Sequence, residues 1–285
     1  MPVLVSERIG DFAHDGHRLE YTEYGSGARV VVLLHGQLMS RRMHEPLARH
    51  VAGAGFHVYA LDLLGHGRSD RPTDPAYYSM TAFAEQVVAL LDHLGVQQAV
   101  VGGTSLGANV SLEVAALATP QLRGMICEMP VLDNAVEAGI VAFAPLMLVS
   151  RVAPFVVDAV RIATRAVPRG MVPFWPGIVL DTLGQHPEAM GATVHGLFFG
   201  RVAPSKPLRR RIEVPALVVG HPHDPIHPAA DAAMLADELV NSRFVEAESI
   251  LEWRYRPDRL HRETVGFLRT CFDEAGVGRA AGSRT

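Results

Sequence analysis

Residues 103–107 read Gly-Thr-Ser-Leu-Gly, and Ser105 is the side chain best placed to do chemistry. An apolar run, Ala99 to Gly102, precedes it, and a helical pattern from Ala108 to Ala118 follows. A serine between glycines at a strand-to-helix turn is the G-x-S-x-G arrangement of a nucleophile elbow. Small neighbours are needed because such a serine sits on a tight, strained turn. The turn lifts the hydroxyl above the sheet and aims a helix N-terminus at developing negative charge. A neutral hydroxyl is a weak nucleophile. The pattern therefore asks for a base, and for N–H donors already facing the oxyanion of an acyl transfer.

The elements that must carry this turn are legible as apolar runs alternating with helical patterns. Val30–Leu34 reads as a strand buried on both faces, Met43–Ala52 as a helix and Phe56–Leu61 as the next strand. Thr81–Leu94 is expected to be a helix with Thr81 as its cap and Gly95 as its stop. Strand 98–102, helix 106–118 and strand 122–128 follow. The alternation resumes with strand Val214–Gly220, helix Ala229–Val240, strand Arg243–Ala247 and helix Pro257–Phe272. Helices between successive strands imply crossover connections and a mostly parallel sheet, the α/β class. Arg8–Tyr24 reads as an antiparallel hairpin turning at Asp15-Gly16.

The stretch from Val131 to about Pro207 breaks the alternation and reads as a helical insertion. It is expected to form a lid over the carboxyl ends of the strands; a second helical layer is the alternative. The predicted organisation is therefore a core of residues 1–130 and 208–273, a lid over 131–207, and a small, polar, frayed tail over 274–285.

Composition narrows the partners. A chain of 285 residues with 48% hydrophobic and 20% charged residues can bury a large core. Its 26 Lys and Arg against 30 Asp and Glu leave a net charge of −4 and no basic face, so no nucleic-acid partner is expected. The run Lys206–Arg211 reads as a solvated segment. Cys127 and Cys271 are too few for a disulfide framework and lack metal spacing, so they read as reduced thiols of a cytoplasmic protein with no metal site. The N-terminus lacks the apolar core of a signal peptide. The longest apolar stretch, Gly139–Val149, is too short for a bilayer and contains Pro145, so no membrane partner is expected. No glycine-rich dinucleotide turn or phosphate loop follows a strand, and no cofactor is expected.

In order along the chain, four motifs resemble those of the α/β-hydrolase fold family, and the likeness covers roughly residues 8–270. They are His35-Gly36-Gln37 after the first buried strand, Asp62-Leu-Leu-Gly-His-Gly-Arg-Ser-Asp70, the elbow at Ser105, and Gly220-His-Pro-His-Asp224-Pro-Ile-His227-Pro228. The resemblance implies that the N–H groups of Gln37 and Leu106 form the oxyanion hole and that Asp224 is the triad acid. It makes the Asp62–Asp70 loop, with His66, architectural.

The family's third triad member, a histidine after the last strand, has no counterpart here. Residues 245–258 contain no histidine, and alignment of the final helix puts Ser249 or Ile250 at that position. His227, on the acid's own loop, is the sequence candidate for the base, and it also reads as a helix N-terminal residue beside Pro228. His195 in the insertion is a second candidate, and His261 falls inside the last helix pattern. Glu248 or Glu252 would serve only with a pKa raised by burial. The expected function is a serine hydrolase of a small apolar ester or related acyl compound. The apolar substrate is suggested by Phe143, Leu146, Met147, Phe155, Phe174, Trp175, Phe198 and Phe199 of the insertion. The alternative is a non-catalytic ligand-binding protein, or a cyclase, lyase or proton-transfer enzyme.

Overall fold

In a computed structural model, residues 5–132, 134–135, 148–149, 152–198 and 200–280 are described, the side chains of Pro154, Phe198 and 274–280 excepted. Phe143, Leu146, Met147 and Phe199 lie outside the described residues.

The described strands are β1 (Glu7–His14), β2 (His17–Tyr24), β3 (Val30–Leu34), β4 (His57–Leu61), β5 (Ala99–Thr104), β6 (Leu122–Glu128), β7 (Ala216–Gly220) and β8 (Ser242–Glu246). They form one sheet in the order β1-β2-β4-β3-β5-β6-β7-β8. β1 and β2 pair antiparallel in register His14–His17, and Asp15 and Gly16 both take positive φ in the turn between them. β2 is antiparallel to β4, and every pairing from β4 to β8 is parallel.

The helices α1 (Glu45–Gly53), α2 (Met80–His93), α3 (Leu106–Ala116), α7 (Ala229–Glu238) and α8 (Asp258–Ala280) flank this sheet. Side chains alternate across a strand, so β3 feeds two cores. Val32 and Leu34 pack with Phe83, Val87 and Val110 on one face; Val31 and Leu33 pack with Val51, Phe56 and Leu268 on the other. A strand covered on both faces has to be apolar throughout, which is why β3 shows no polar alternation. The cap of α2 differs from expectation. Ser79 Oγ accepts from Ala82 N–H at 3.1 Å, while Thr81, two residues too late to cap, donates to Glu113 at 2.9 Å. Between β6 and β7 lie α4 (Pro154–Ala166), α5 (Phe174–Leu183) and α6 (Pro187–Phe198). No described helix is long and apolar enough to cross a membrane.

After β3 the chain pairs β4 on one side, then returns to place β5 on the other. The carboxyl ends of β3 and β5 therefore bound the switch-point crevice, where open α/β sheets bind ligands. The turn after β3 is held by buried neutral imidazoles. His35 donates from Nδ1 to the Gly36 carbonyl at 2.9 Å and accepts from Leu63 N–H at 3.1 Å. His44 donates to the Leu34 carbonyl at 2.8 Å. Burial pushes His35 down to about 3 and His44 down to about 4. The Asp62–Asp70 loop is knitted by Asp62, which accepts from Arg41 N–H at 2.6 Å and Arg68 N–H at 2.8 Å. A Cβ on Gly67 would collide with the Asp62 carboxylate. His66 is buried in this loop and donates to the Leu64 carbonyl at 2.9 Å.

Candidate active site

Ser105 sits between β5 and α3 with φ 54° and ψ −109°, a left-handed conformation that costs a non-glycine residue energy. Two features hold it there. Its N–H donates to the Glu128 carbonyl at the end of β6 at 2.8 Å. Gly103 and Gly107 allow close approach of β3, since a Cβ on either would strike the Leu34 carbonyl. The glycines of the motif are thus a packing requirement as much as a conformational one.

The loop after β7 brings an imidazole to the serine. His227 Nε2 lies 2.8 Å from Ser105 Oγ, and His227 Nδ1 lies 3.0 Å from Asp224 Oδ2. A carboxylate only accepts, so Nδ1 carries the proton and Nε2 is left to accept from the serine hydroxyl. The other Asp224 oxygen accepts from the N–H groups of Ile226 at 2.8 Å and His227 at 3.0 Å. One carboxylate therefore folds the loop and orients the ring. Burial pushes the Asp224 carboxyl upward, but the hydrogen bonds from His227 and Ile226 outweigh it and hold the group below the ordinary aspartate range. The side chains of Asp224 and His227 are only 4% and 14% exposed, so solvent screens this pair little.

Gln37 and Ser105 both line the cavity above this point. Neither Gln37 N–H nor Leu106 N–H donates to a described residue. Leu106 begins α3, so its N–H is one of the free donors of a helix start. The Gln37 side chain is directed elsewhere: its amide donates to Thr193 of α6 at 3.0 Å.

The cavity has a volume of about 740 Å³, within the ~300–1,000 Å³ usual for small-molecule sites. Its walls are mostly apolar: Met39 and Met43 after β3, Met129 after β6, Trp175, Ile178 and Leu180 from α5, and Ile250 and Leu251 after β8. The cavity walls thus differ from the apolar residues expected to line it. Of the described aromatic residues of the insertion, Trp175 lines the cavity; Phe155 is 72% exposed on α4, and Phe174 packs on Trp175 and Arg42. Of Ser249 and Ile250, the two residues at which the resemblance puts the base, Ile250 lines the cavity.

The other candidates for a base lie away from Ser105. His195 is exposed on α6 and does not line the cavity. His261 packs against His50 inside α8, with its pKa pushed down to about 4 by burial. The Glu248 side chain is 72% exposed. Burial raises the Glu252 carboxyl, but Arg259 at 2.7 Å and the Glu248 N–H outweigh it, leaving Glu252 below its ordinary range rather than above it.

A family model described as the alpha/beta hydrolase fold matches residues 29–249. The chain belongs to the α/β-hydrolase fold family. Among curated relatives, 3-oxoadipate enol-lactonase 2 of Acinetobacter baylyi is 28% identical over 241 residues, covering 79% of this chain and 82% of that protein. Epoxide hydrolase A of Mycobacterium tuberculosis is 39% identical over 108 residues, covering 37% of this chain and 32% of that protein. The matches to this and other short-range relatives span only 15–36% of those proteins' lengths. Among solved structures, an esterase from Rhodococcus sp. ECU1013 superposes with a TM-score of 0.74 at 21% identity, over 94% of this chain and 99% of that one. The enol-lactonase of Burkholderia xenovorans LB400 superposes at 0.72 and 22% identity, over 91% and 99%. At these identities the superpositions establish the fold.

Sequence reasoning missed a second layer beneath this site. The Glu128 side chain is 4% exposed and receives Arg254 at 2.9 Å, the Thr104 hydroxyl, and His221 Nε2 at 3.1 Å, a contact too misaligned to be a hydrogen bond. Burial opposes the Glu128 charge, yet Arg254 and His221 overcome it and hold the carboxyl far below its ordinary range. His221 Nδ1 also donates to the Ser249 carbonyl at 3.1 Å. Glu128 thereby joins Thr104, the residue before Ser105, to the loops after β7 and β8. The one available signal was a glutamate following the apolar run 124–127, a buried charge that has to find a cation.

Proposed function

We propose that this chain hydrolyses small apolar esters or related acyl compounds, with Ser105 as nucleophile, His227 as general base and Asp224 as the acid. The hydrogen-bonded relay from Asp224 through His227 to Ser105, at 3.0 and 2.8 Å, carries the reading.

In this mechanism His227 Nε2 takes the Ser105 proton as Oγ attacks the substrate carbonyl carbon. The carbonyl π pair moves to oxygen, and the N–H groups of Gln37 and Leu106 stabilise that oxyanion. Collapse expels the alkoxide, which takes the proton from His227 and leaves an acyl-Ser105. Water then attacks with His227 again as base, releasing the acid and the free serine. Asp224 stays ionised throughout and stabilises the imidazolium. The apolar walls favour an acyl or alcohol portion without charge. The insertion serves as a lid through α5, whose Trp175, Ile178 and Leu180 lie over the cavity. A ligand-binding protein has no need of a hydroxyl held against an imidazole, so the relay weighs against the non-catalytic alternative.

Intact mass after exposure to a fluorophosphonate tests the proposal. One adduct is expected on the unaltered protein and none on Ser105→Ala. A folded protein that takes no adduct, or the same adduct in the variant, overturns it.

A further inference from the structure

A second cavity, of about 560 Å³, lies on the far side of the β3 turn from the active site. The two cavities share no lining residue, but they share walls. Met39 and Met43 face the first while Ser40 and Arg42 face the second; Leu180 of α5 faces the first and Asp181 the second. Six guanidinium groups line the second cavity: Arg41, Arg42, Arg68, Arg71, Arg165 and Arg169.

Carboxylates account for half of that charge. Arg41 is paired with Asp62 and with Glu20. Asp181 is shared between Arg42 at 2.5 Å and Arg169 at 2.7 Å. Glu45, also in the lining, is engaged by Arg49 at 2.7 Å. Among the described residues, no carboxylate lies within ion-pair distance of Arg68, Arg71 or Arg165. Arg165 has a hydrogen bond from Nε to the Gly184 carbonyl at 2.9 Å, which leaves its outer nitrogens available. Arg71 Nε is buried without a hydrogen-bond partner. Burial, and further the like charge of Arg165, pulls the Arg71 guanidinium below the ordinary arginine range despite Asp62. A half-buried cation facing another cation is costly unless an anion completes the set. Guanidinium forks suit two oxygens at once.

We propose that this cavity binds a small multivalent oxyanion, a phosphoryl or polycarboxylate compound, gripped by Arg68, Arg71 and Arg165. The occupant neutralises cations that the chain itself leaves unmatched. Bound there, it braces Arg42, Asp181 and the β3 turn from outside the active site.

Thermal unfolding with pyrophosphate, and in a parallel arm citrate, against sodium chloride at equal ionic strength tests the site. Ligand that binds only the folded state raises the melting temperature. Pyrophosphate stabilising alone assigns phosphoryl recognition, and citrate stabilising alone assigns carboxylate recognition. Arg71→Gln and Arg165→Gln should each weaken the calorimetric Kd about tenfold or more, the loss of one charged hydrogen-bonding partner. Arg211→Gln, which removes an exposed charge outside the cavity, should leave it unchanged. Without anion, Arg71→Gln and Arg165→Gln should melt higher than the unaltered protein, because like-charge repulsion is relieved. No stabilisation beyond chloride in either arm, or equal weakening by Arg211→Gln, overturns the proposal.

Discussion

The loops after β7 and β8 leave adjacent strands of the sheet and meet the same cavity, yet they are built on opposite principles. The β7 loop is polar and self-organised. Asp224 spans three residues to His227 and also accepts the backbone N–H groups between them. The β8 loop is apolar where it faces the cavity, with Ile250 and Leu251 on the wall. Its tie to the β7 loop is the Ser249 carbonyl, which accepts from His221. Under the proposed mechanism chemistry sits in the first loop and shape in the second. What acyl transfer requires is an imidazole at one point in space, 2.8 Å from Ser105 Oγ, and either strand end can deliver it. Placing acid and base three residues apart also shortens the loop that must be ordered to join them.

The largest expected effect falls on the β7 loop. His227→Ala should lower kcat on a p-nitrophenyl ester by about 10⁶, as should Ser105→Ala, because members of a catalytic unit fail together. A His227→Ala enzyme within tenfold of the original would erase the contrast between the loops. Asp224→Asn keeps the shape and one backbone acceptor but cannot fix the same tautomer. It should cost about 10⁴ in kcat with little change in KM. A purely structural Asp224 would instead lower the melting temperature and leave kcat intact.

The sequence carried the strands, the crossovers and the elbow, because each is written in local pattern. β3, β6 and α3 begin where the apolar runs begin. It also carried Ser105, Gln37, Leu106 and Asp224 as candidates, through motifs of fixed spacing. His227 reads in sequence as a helix-start residue before it reads as a base, because the base role rests on a contact between residues 122 positions apart. Ser79 and Thr81 are chemically alike as caps of α2, and only backbone geometry separates them. Glu128, His221 and Arg254 were invisible because they lie in three distant segments and meet only in the folded chain. The aromatic residues of the insertion misled for a similar reason. Composition reports apolar content, but not which helix face meets the cavity.

The buried layer that joins the two loops gives the next effects. Glu128→Gln leaves Arg254 without its ion pair, and removal of one member of a buried pair costs about 3 kcal/mol or more. A lowered urea midpoint at unchanged slope is the readout, with the loss in kcat secondary. If stability holds while kcat collapses, Glu128 belongs to the chemistry and the β7 loop is not self-sufficient. Acid acts on several buried groups at once. His35 and His66 are pushed by burial to about 3, and His44 and His261 to about 4, from an ordinary 6.5. Each is neutral in the fold, so the unfolded chain binds more protons below 6.5. Their stability contribution is full above 6.5 and is lost as pH falls toward 4 and then 3, at up to ~1.4 kcal/mol per pH unit for each histidine. Urea unfolding at pH 7 and pH 5 measures it. Equal stability at the two values would mean that these rings gain protons without unfolding.

The smallest effect is the sharpest test of the β8 loop. Ile250 lines the cavity and donates no proton and no charge, so any contribution it makes to binding acts on substrate and transition state alike. Truncation to alanine removes three carbons from the wall, of which a bound acyl chain covers a part. About 1 kcal/mol of apolar contact is at stake. Uniform binding appears in KM and leaves kcat alone. Ile250→Ala should therefore raise KM for a butyrate ester about fivefold and change kcat less than twofold. It should do less to an acetate ester, whose acyl chain is too short to reach the wall. A fall in kcat with KM unchanged would show that Ile250 acts on the transition state, most directly by excluding water from the His227 ring. The β8 loop would then share in the chemistry through an alkyl side chain.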